Sequence, residues 1–144
     1  QHRDQAYPQQ SLATVTTHDM PTLVGFWQEL DLALRHQLDL FPSPAVADNL
    51  QQLRQAEKAI LQQALQLHQP DAATLVQACY LYTAATPARL FAYQLEDLVL
   101  LDTPVNIPGT STEYANWQRK LPQNIEDILT NPQVKALISA IKNA

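Results

Sequence analysis

The chain has 144 residues, enough for one domain with a buried core, and its 46% apolar content is that of an ordinary globular protein. Nine basic and fourteen acidic residues give a net charge of −5, and no basic run exceeds Arg119-Lys120, which argues against a nucleic-acid surface. No apolar run approaches the length of a bilayer span, which argues against a membrane anchor. Only two glycines stand against ten prolines, so tight turns are scarce and long helices are favoured over many short strands. The single cysteine, Cys79, rules out an intrachain disulfide and fits a reducing, cytoplasmic compartment. It lies in the apolar stretch Leu75–Tyr80 and reads as a buried structural thiol. No signal peptide is visible, and a start at Gln1 with no methionine reads as a cut inside a longer protein.

In chain order, residues 1–11 are polar and read as an irregular lead-in. Residues 12–17 are rich in β-branched side chains and predict a strand ending at His18-Asp19. Pro21 suits a helix start, and Leu23, Phe26, Trp27, Leu30, Leu34 and Leu38 recur at helical spacing to about Leu40. Pro42-Ser43-Pro44 breaks that helix. A second helix is expected over 45–68, where glutamines, part of a total of 18, cover a solvated face. A third follows over 72–85 with Asp71 as its N-cap, ended by Thr86-Pro87. Residues 90–95 predict a second strand ending at Glu96-Asp97. Residues 102–118 read as a long loop with some helix, and Asn131-Pro132 opens a last helix to Lys142 with Val134, Leu137, Ile138 and Ile141 inward. Two strands joined by a helical crossover are parallel if they share a sheet.

Chemistry is concentrated at strand ends. Thr17-His18-Asp19 closes the first strand, at the sheet edge where ligand groups gather in α/β folds. From the local sequence two readings stand: a pair that binds hydroxyls, or a strand-end cap in which Asp19 accepts N–H bonds from the next helix. Glu96-Asp97 has the same choice between a structural or solvated role and a functional one. Gly109, in Asn106-Ile107-Pro108-Gly109-Thr110, permits a positive φ but makes no phosphate loop. Trp27, Tyr114 and Trp117 are candidate sugar-stacking rings, with Trp27 also fitting a helical core stripe. His2, His18, His36 and His68 lack ligand spacing, so no metal and no cofactor is expected.

Taken together these segments resemble the C-terminal part of the 4-alpha-glucanotransferase family, the amylomaltases and disproportionating enzymes. The similarity runs from Thr17-His18-Asp19-Met20-Pro21-Thr22 through Gly25-Phe26-Trp27, Asp31 and Arg35. It resumes at Leu95-Glu96-Asp97-Leu98 and is strongest in Asn106-Ile107-Pro108-Gly109-Thr110, Glu113-Tyr114, Asn116-Trp117 and Arg119-Lys120-Leu121. Met20 and Ile107 stand where the family pattern usually has leucine, and Ala115 where it usually has proline. The resemblance implies a (β/α)8 barrel enzyme that moves α-1,4-glucan segments between acceptors with retention, a reaction needing a nucleophilic carboxylate and an acid/base carboxylate. It also implies that Asp19 is the third carboxylate of that family, which grips the donor sugar and helps distort it. By the same resemblance His18 bonds the bound sugar, and Asn106 contributes to the glucan groove.

The family's nucleophile stands in an Arg-x-Asp-His context and its acid/base in Glu-Asp-Leu-Gly, upstream of Thr-His-Asp. Neither string occurs here. Leu95-Glu96-Asp97-Leu98 mimics the second, but it lies downstream of Asp19 and lacks the glycine, so Glu96 reads as the end of the last barrel strand. The expected fold is therefore mainly α with two short parallel strands, residues 1–144 being one piece, about a quarter, of a (β/α)8 TIM barrel. Residues 12–121 are the family-matching region and 122–144 a C-terminal helical end. Alone, such a piece is expected to be inactive and to self-associate through its exposed strand edges. The alternative is a self-standing helical interaction module with a relic sugar site; a third reading is another amylase-related barrel enzyme.

Overall fold

The computed structural model describes residues 7–144; residues 1–6 of the expected lead-in lie outside the described residues, and residues 7–11 form neither helix nor strand. The elements are β1 (Leu12–Thr14), α1 (Leu23–Trp27), α2 (Leu30–Gln37), α3 (Pro44–Leu65), α4 (Ala72–Ala84), β2 (Leu90–Ala92), α5 (Leu95–Leu98), α6 (Ile125–Thr130) and α7 (Pro132–Lys142). The protein is thus mainly helical with two short strands. They pair parallel, Leu12 opposite Leu90 and Thr14 opposite Ala92, as the helical crossover between them requires.

Local signals set most boundaries. The Thr22 hydroxyl accepts the Gly25 N–H and caps α1. Ser43 caps α3 with Pro44 in the first turn, and Asp71 accepts the Thr74 N–H at the start of α4. Asn131 does the same for α7. Three expectations are corrected. Both strands are shorter than predicted, ending at Thr14 and Ala92. Residues 95–98 form a helical turn, so Glu96 and Asp97 sit on α5 and do not end a strand. The helix predicted over 22–40 breaks at Glu29, whose φ of 62° is left-handed.

That break is held from outside. The Glu29 carboxylate accepts bonds from Lys58 Nζ and Gln55 Nε2, both at 2.7 Å, and the Lys58 bond holds its pKa below the usual carboxylate value. Arg54 lies one turn away on α3. It makes a bidentate pair with Asp31 at 2.7 Å, donates to the Phe26 carbonyl at 2.9 Å, and lies over the Phe26 ring. The carbonyl freed by the interrupted helix therefore has a charged donor. Asp31, part of the family-like string, is half of this brace.

The core is built around α4. Leu75, Val76, Cys79 and Tyr80 are buried with Leu23 and Val24 of α1, and Val15, Trp27, Phe91, Leu137 and Ile141 pack against them. A second cluster of Leu98, Ile128 and Val134 is joined by Leu121 and Ile138, with Leu137 touching both. Gly25 is needed where α1 crosses the chain after α5: a Cβ there would lie 2.5 Å from the Asp102 carbonyl oxygen.

Inside this core Asp97 is fully buried. Its carboxyl group accepts the Thr16 hydroxyl at 2.7 Å, the Tyr80 hydroxyl at 2.8 Å and the Leu23 N–H at 2.8 Å. Tyr80 in turn accepts the Gln94 N–H at 3.1 Å. Asp97→Ala strands three buried donors and is expected to lower unfolding free energy by at least about 3 kcal/mol, read by urea denaturation. Asp97→Asn retains one acceptor and is expected to lose less.

Burial, reinforced by the charge of Asp97, pushes the Cys79 thiol up to about 11 and raises the Tyr80 hydroxyl above its ordinary value. Both groups are neutral when protonated, so the folded state keeps their protons to higher pH than the unfolded chain. For Cys79 the contribution is complete below the ordinary thiol value of 9.0 and is lost as pH rises towards about 11. The urea midpoint is expected to fall across that window, and the Cys79→Ala protein to show a shallower fall. A midpoint independent of pH would contradict the burial of these groups.

Candidate functional site

The site grows from the C-terminal ends of the two strands. After β1 the buried Thr16 turns inward to Asp97, and a hydrogen bond from Met20 N–H to Thr17 C=O closes a turn with His18 and Asp19 at its tip. Thr16 is anchored inward, and the turn that follows it carries His18 and Asp19 outward. They are more than half exposed, 57% for His18 and 53% for Asp19, and His18 Nε2 lies 3.3 Å from Asp19 Oδ2.

Asp19 caps nothing in α1. At that helix start the Gly25 N–H goes to the Thr22 hydroxyl and the Leu23 N–H to Asp97, which removes the local reading of Asp19 as a helix cap. Its Oδ1 instead accepts the side-chain amide of Asn106 at 2.7 Å, across 87 residues of sequence. The three residues singled out in the sequence, His18, Asp19 and Asn106, therefore form one exposed cluster. A small cleft of ≈ 60 Å³ runs beside it, bounded by Asp19, Pro21, Arg35, Asn106 and Pro108.

The loop that presents Asn106 is braced from within. Asn116 is its keystone: Oδ1 accepts the Ile107 N–H at 2.9 Å, and Nδ2 donates to the Thr110 hydroxyl at 2.8 Å. That hydroxyl donates to the Ile107 carbonyl at 2.7 Å, Trp117 N–H bonds the Val105 carbonyl at 2.9 Å, and Ile107 is buried. Gly109 has φ +88°, which turns the loop back on itself. The family-like string Asn-Ile-Pro-Gly-Thr…Asn-Trp is thus one hydrogen-bonded unit.

The candidate aromatic rings part company. Trp27 packs against the core and donates Nε1–H to the Pro70 carbonyl. Tyr114 donates its hydroxyl to the Pro104 carbonyl, and burial raises its pKa. Trp117 alone of the three is exposed, with its ring centroid 5.1 Å from that of His18. Glu96 pairs with Arg119 at 3.4 Å. Among the described residues no group of three or more His, Cys, Asp or Glu is arranged to hold a metal ion, and no helix is long and apolar enough to cross a membrane.

Asn116→Ala removes the acceptor of the Ile107 N–H and the donor shared by the Thr110 hydroxyl and carbonyl. It is expected to destabilise the protein by about 1–3 kcal/mol and to speed amide exchange over residues 104–118. Unchanged exchange there would mean that the loop is held by other contacts.

The chain is similar to known proteins. The family model for 4-alpha-glucanotransferase matches residues 1–126. The 4-alpha-glucanotransferase of Haemophilus influenzae is 33% identical over 150 residues, covering 94% of this chain and 21% of that protein. The 4-alpha-glucanotransferase of Mycobacterium tuberculosis is 33% identical over 145 residues, covering 92% of this chain and 20% of that protein. The crystal structure of amylomaltase from Corynebacterium glutamicum superposes with a TM-score of 0.79 at 26% identity, over 96% of this chain and 22% of that one. The chain spans about a fifth of the length of the curated relatives it matches, and it belongs to the 4-alpha-glucanotransferase family.

Proposed function

We propose that this chain supplies the Asp19 side of the active site in a 4-alpha-glucanotransferase that moves α-1,4-glucan segments between acceptors with retention. The observation that carries this reading is the 2.7 Å bond between Asn106 and Asp19 above the C-terminal ends of two parallel strands. That is the end of a (β/α)8 barrel where catalytic groups collect, and β1 and β2 with their intervening helices fit adjacent strands of such a barrel. A groove of ≈ 550 Å³ along β1, lined by Ala13, Val15, Leu61, Leu65 and Cys79, fits cover by a neighbouring part of the same barrel.

Asp19 and His18 then bind hydroxyls of the donor sugar, and Asn106 fixes the orientation of the Asp19 carboxylate. In retaining transfer the donor ring flattens as positive charge develops at its anomeric carbon. A fixed, exposed carboxylate binds that flattened ring better than the relaxed one, which lowers the barrier without tightening ground-state binding. The nucleophile and the acid/base come from elsewhere in the whole protein. Of the two carboxylates in the Glu-Asp-Leu mimic, Asp97 is consumed by three internal donors and Glu96 by Arg119, which supports reading neither as the acid.

The test is Asp19→Asn in the full-length protein carrying this chain, with maltotriose as donor and acceptor and the isolated chain as a control expected to be inert. Because the loss falls on the transition state, kcat is expected to drop by roughly 100-fold or more with only a modest change in substrate affinity. A variant with near-normal kcat would reduce Asp19 to a structural role. Redistribution of maltotriose by the isolated chain would show that the catalytic carboxylates lie within it.

A further inference from the structure

Resting on that reading, the geometry points to Trp117 as the stacking floor for one glucosyl unit beside the His18-Asp19-Asn106 cluster. Trp117 is 61% exposed, where most tryptophans on a folded domain are largely buried. Its ring centroid lies 5.1 Å from that of His18 at a tilt of 49°, so the two rings form a wall that bends around the polar cluster.

The backbone at Trp117 adds a second, independent observation. Its φ of +62° is left-handed, a conformation that bulky side chains rarely adopt and that folded structures retain chiefly where surrounding contacts enforce it. Those contacts are present: the Trp117 N–H is tied to the Val105 carbonyl, and the preceding residue, Asn116, is the keystone of the loop. The loop therefore spends internal bonding to hold a large apolar ring outward, in water, against the polar cluster.

The chemistry of a pyranose suits this pairing. Its hydroxyls radiate near the ring plane and need donors and acceptors at the rim. Its C–H face is apolar and packs on an aromatic face. Asp19, His18 and Asn106 offer the rim groups, and Trp117 the flat surface. Neither of the other candidate rings can take this part, because Trp27 lies against the core and Tyr114 is engaged with Pro104.

The test compares Trp117→Ala, Trp117→Leu and Trp117→Phe in the full-length protein, with maltoheptaose as the probe. Binding is read by calorimetry in an Asp19→Asn background, and kcat and KM in the otherwise unchanged enzyme. Trp117→Leu retains apolar bulk without an aromatic face, so it and Trp117→Ala are expected to raise Kd and KM by about tenfold, with a smaller effect on kcat. Trp117→Phe is expected to stay within about threefold of the parent. Should alanine unfold the loop, the leucine and phenylalanine pair still decides. A Trp117→Leu protein that binds as tightly as the parent, or a Trp117→Phe protein as weak as Trp117→Leu, overturns the stacking role while leaving the transferase reading intact. A parent protein that neither binds maltoheptaose nor loses turnover on Asp19→Asn overturns both.

Discussion

The carboxyl group of Asp97 is the point on which the rest of the structure hangs. Its three hydrogen bonds come from the end of β1, the start of α1 and the middle of α4. Each of those donors is buried and would otherwise have no partner, so the carboxyl group satisfies them and also sets where the three elements meet. The consequence for the site is direct. Because Thr16 is pulled inward and Leu23 is fixed at the helix start, residues 17–20 between them bulge outward. His18 and Asp19 are at the tip of that bulge.

A second polar assembly, on the far side of α1, does a different job. Arg54, Gln55 and Lys58 of α3 satisfy Glu29, Asp31 and the Phe26 carbonyl where α1 gives way to α2. A continuous helix over 22–40 would carry Asp31 away from Arg54. The break lets a short α1 fit beneath the site while α2 turns to pack on α3. The two assemblies therefore fix α1 from both ends, and α1 is the element that Gly25 brings into close contact with the chain at Asp102. Asn106 follows four residues later.

Much of this was legible in the sequence. The caps Asp71 and Asn131, the break at Pro42-Ser43-Pro44 and the inward face of α7 follow from local chemistry and helical spacing, which depend on near neighbours. The candidate site residues His18, Asp19 and Asn106 were singled out through their ordered family-like strings, and the fold brings the three together. The buried role of Asp97 was not: an acidic residue beside Glu96 reads as solvated, and only the fold shows that its donors come from 81 and 74 residues away. The helix break at Glu29 escaped for the same reason, since its apolar periodicity is sound and the partners that stabilise the left-handed residue lie on another helix. Trp117 was legible as a candidate but not as the surviving one, because Tyr114 and Trp27 have the same chemistry until their hydrogen bonds are known.

The Asn106–Asp19 bond closes a loop of 87 residues. Helices such as α3 and α4 are built from contacts only a few residues apart, and chains form such contacts long before distant ones, because closing a long loop costs entropy that few early contacts offset. The site is therefore the last thing this chain makes. The Thr16–Asp97 bond, which spans 81 residues, brings the β1 end and the α5 turn together. An exposed cluster assembled so late is also the first to come apart: any local opening that frees Thr16 from Asp97 disperses His18, Asp19 and Asn106 while α3 and α4 are still intact.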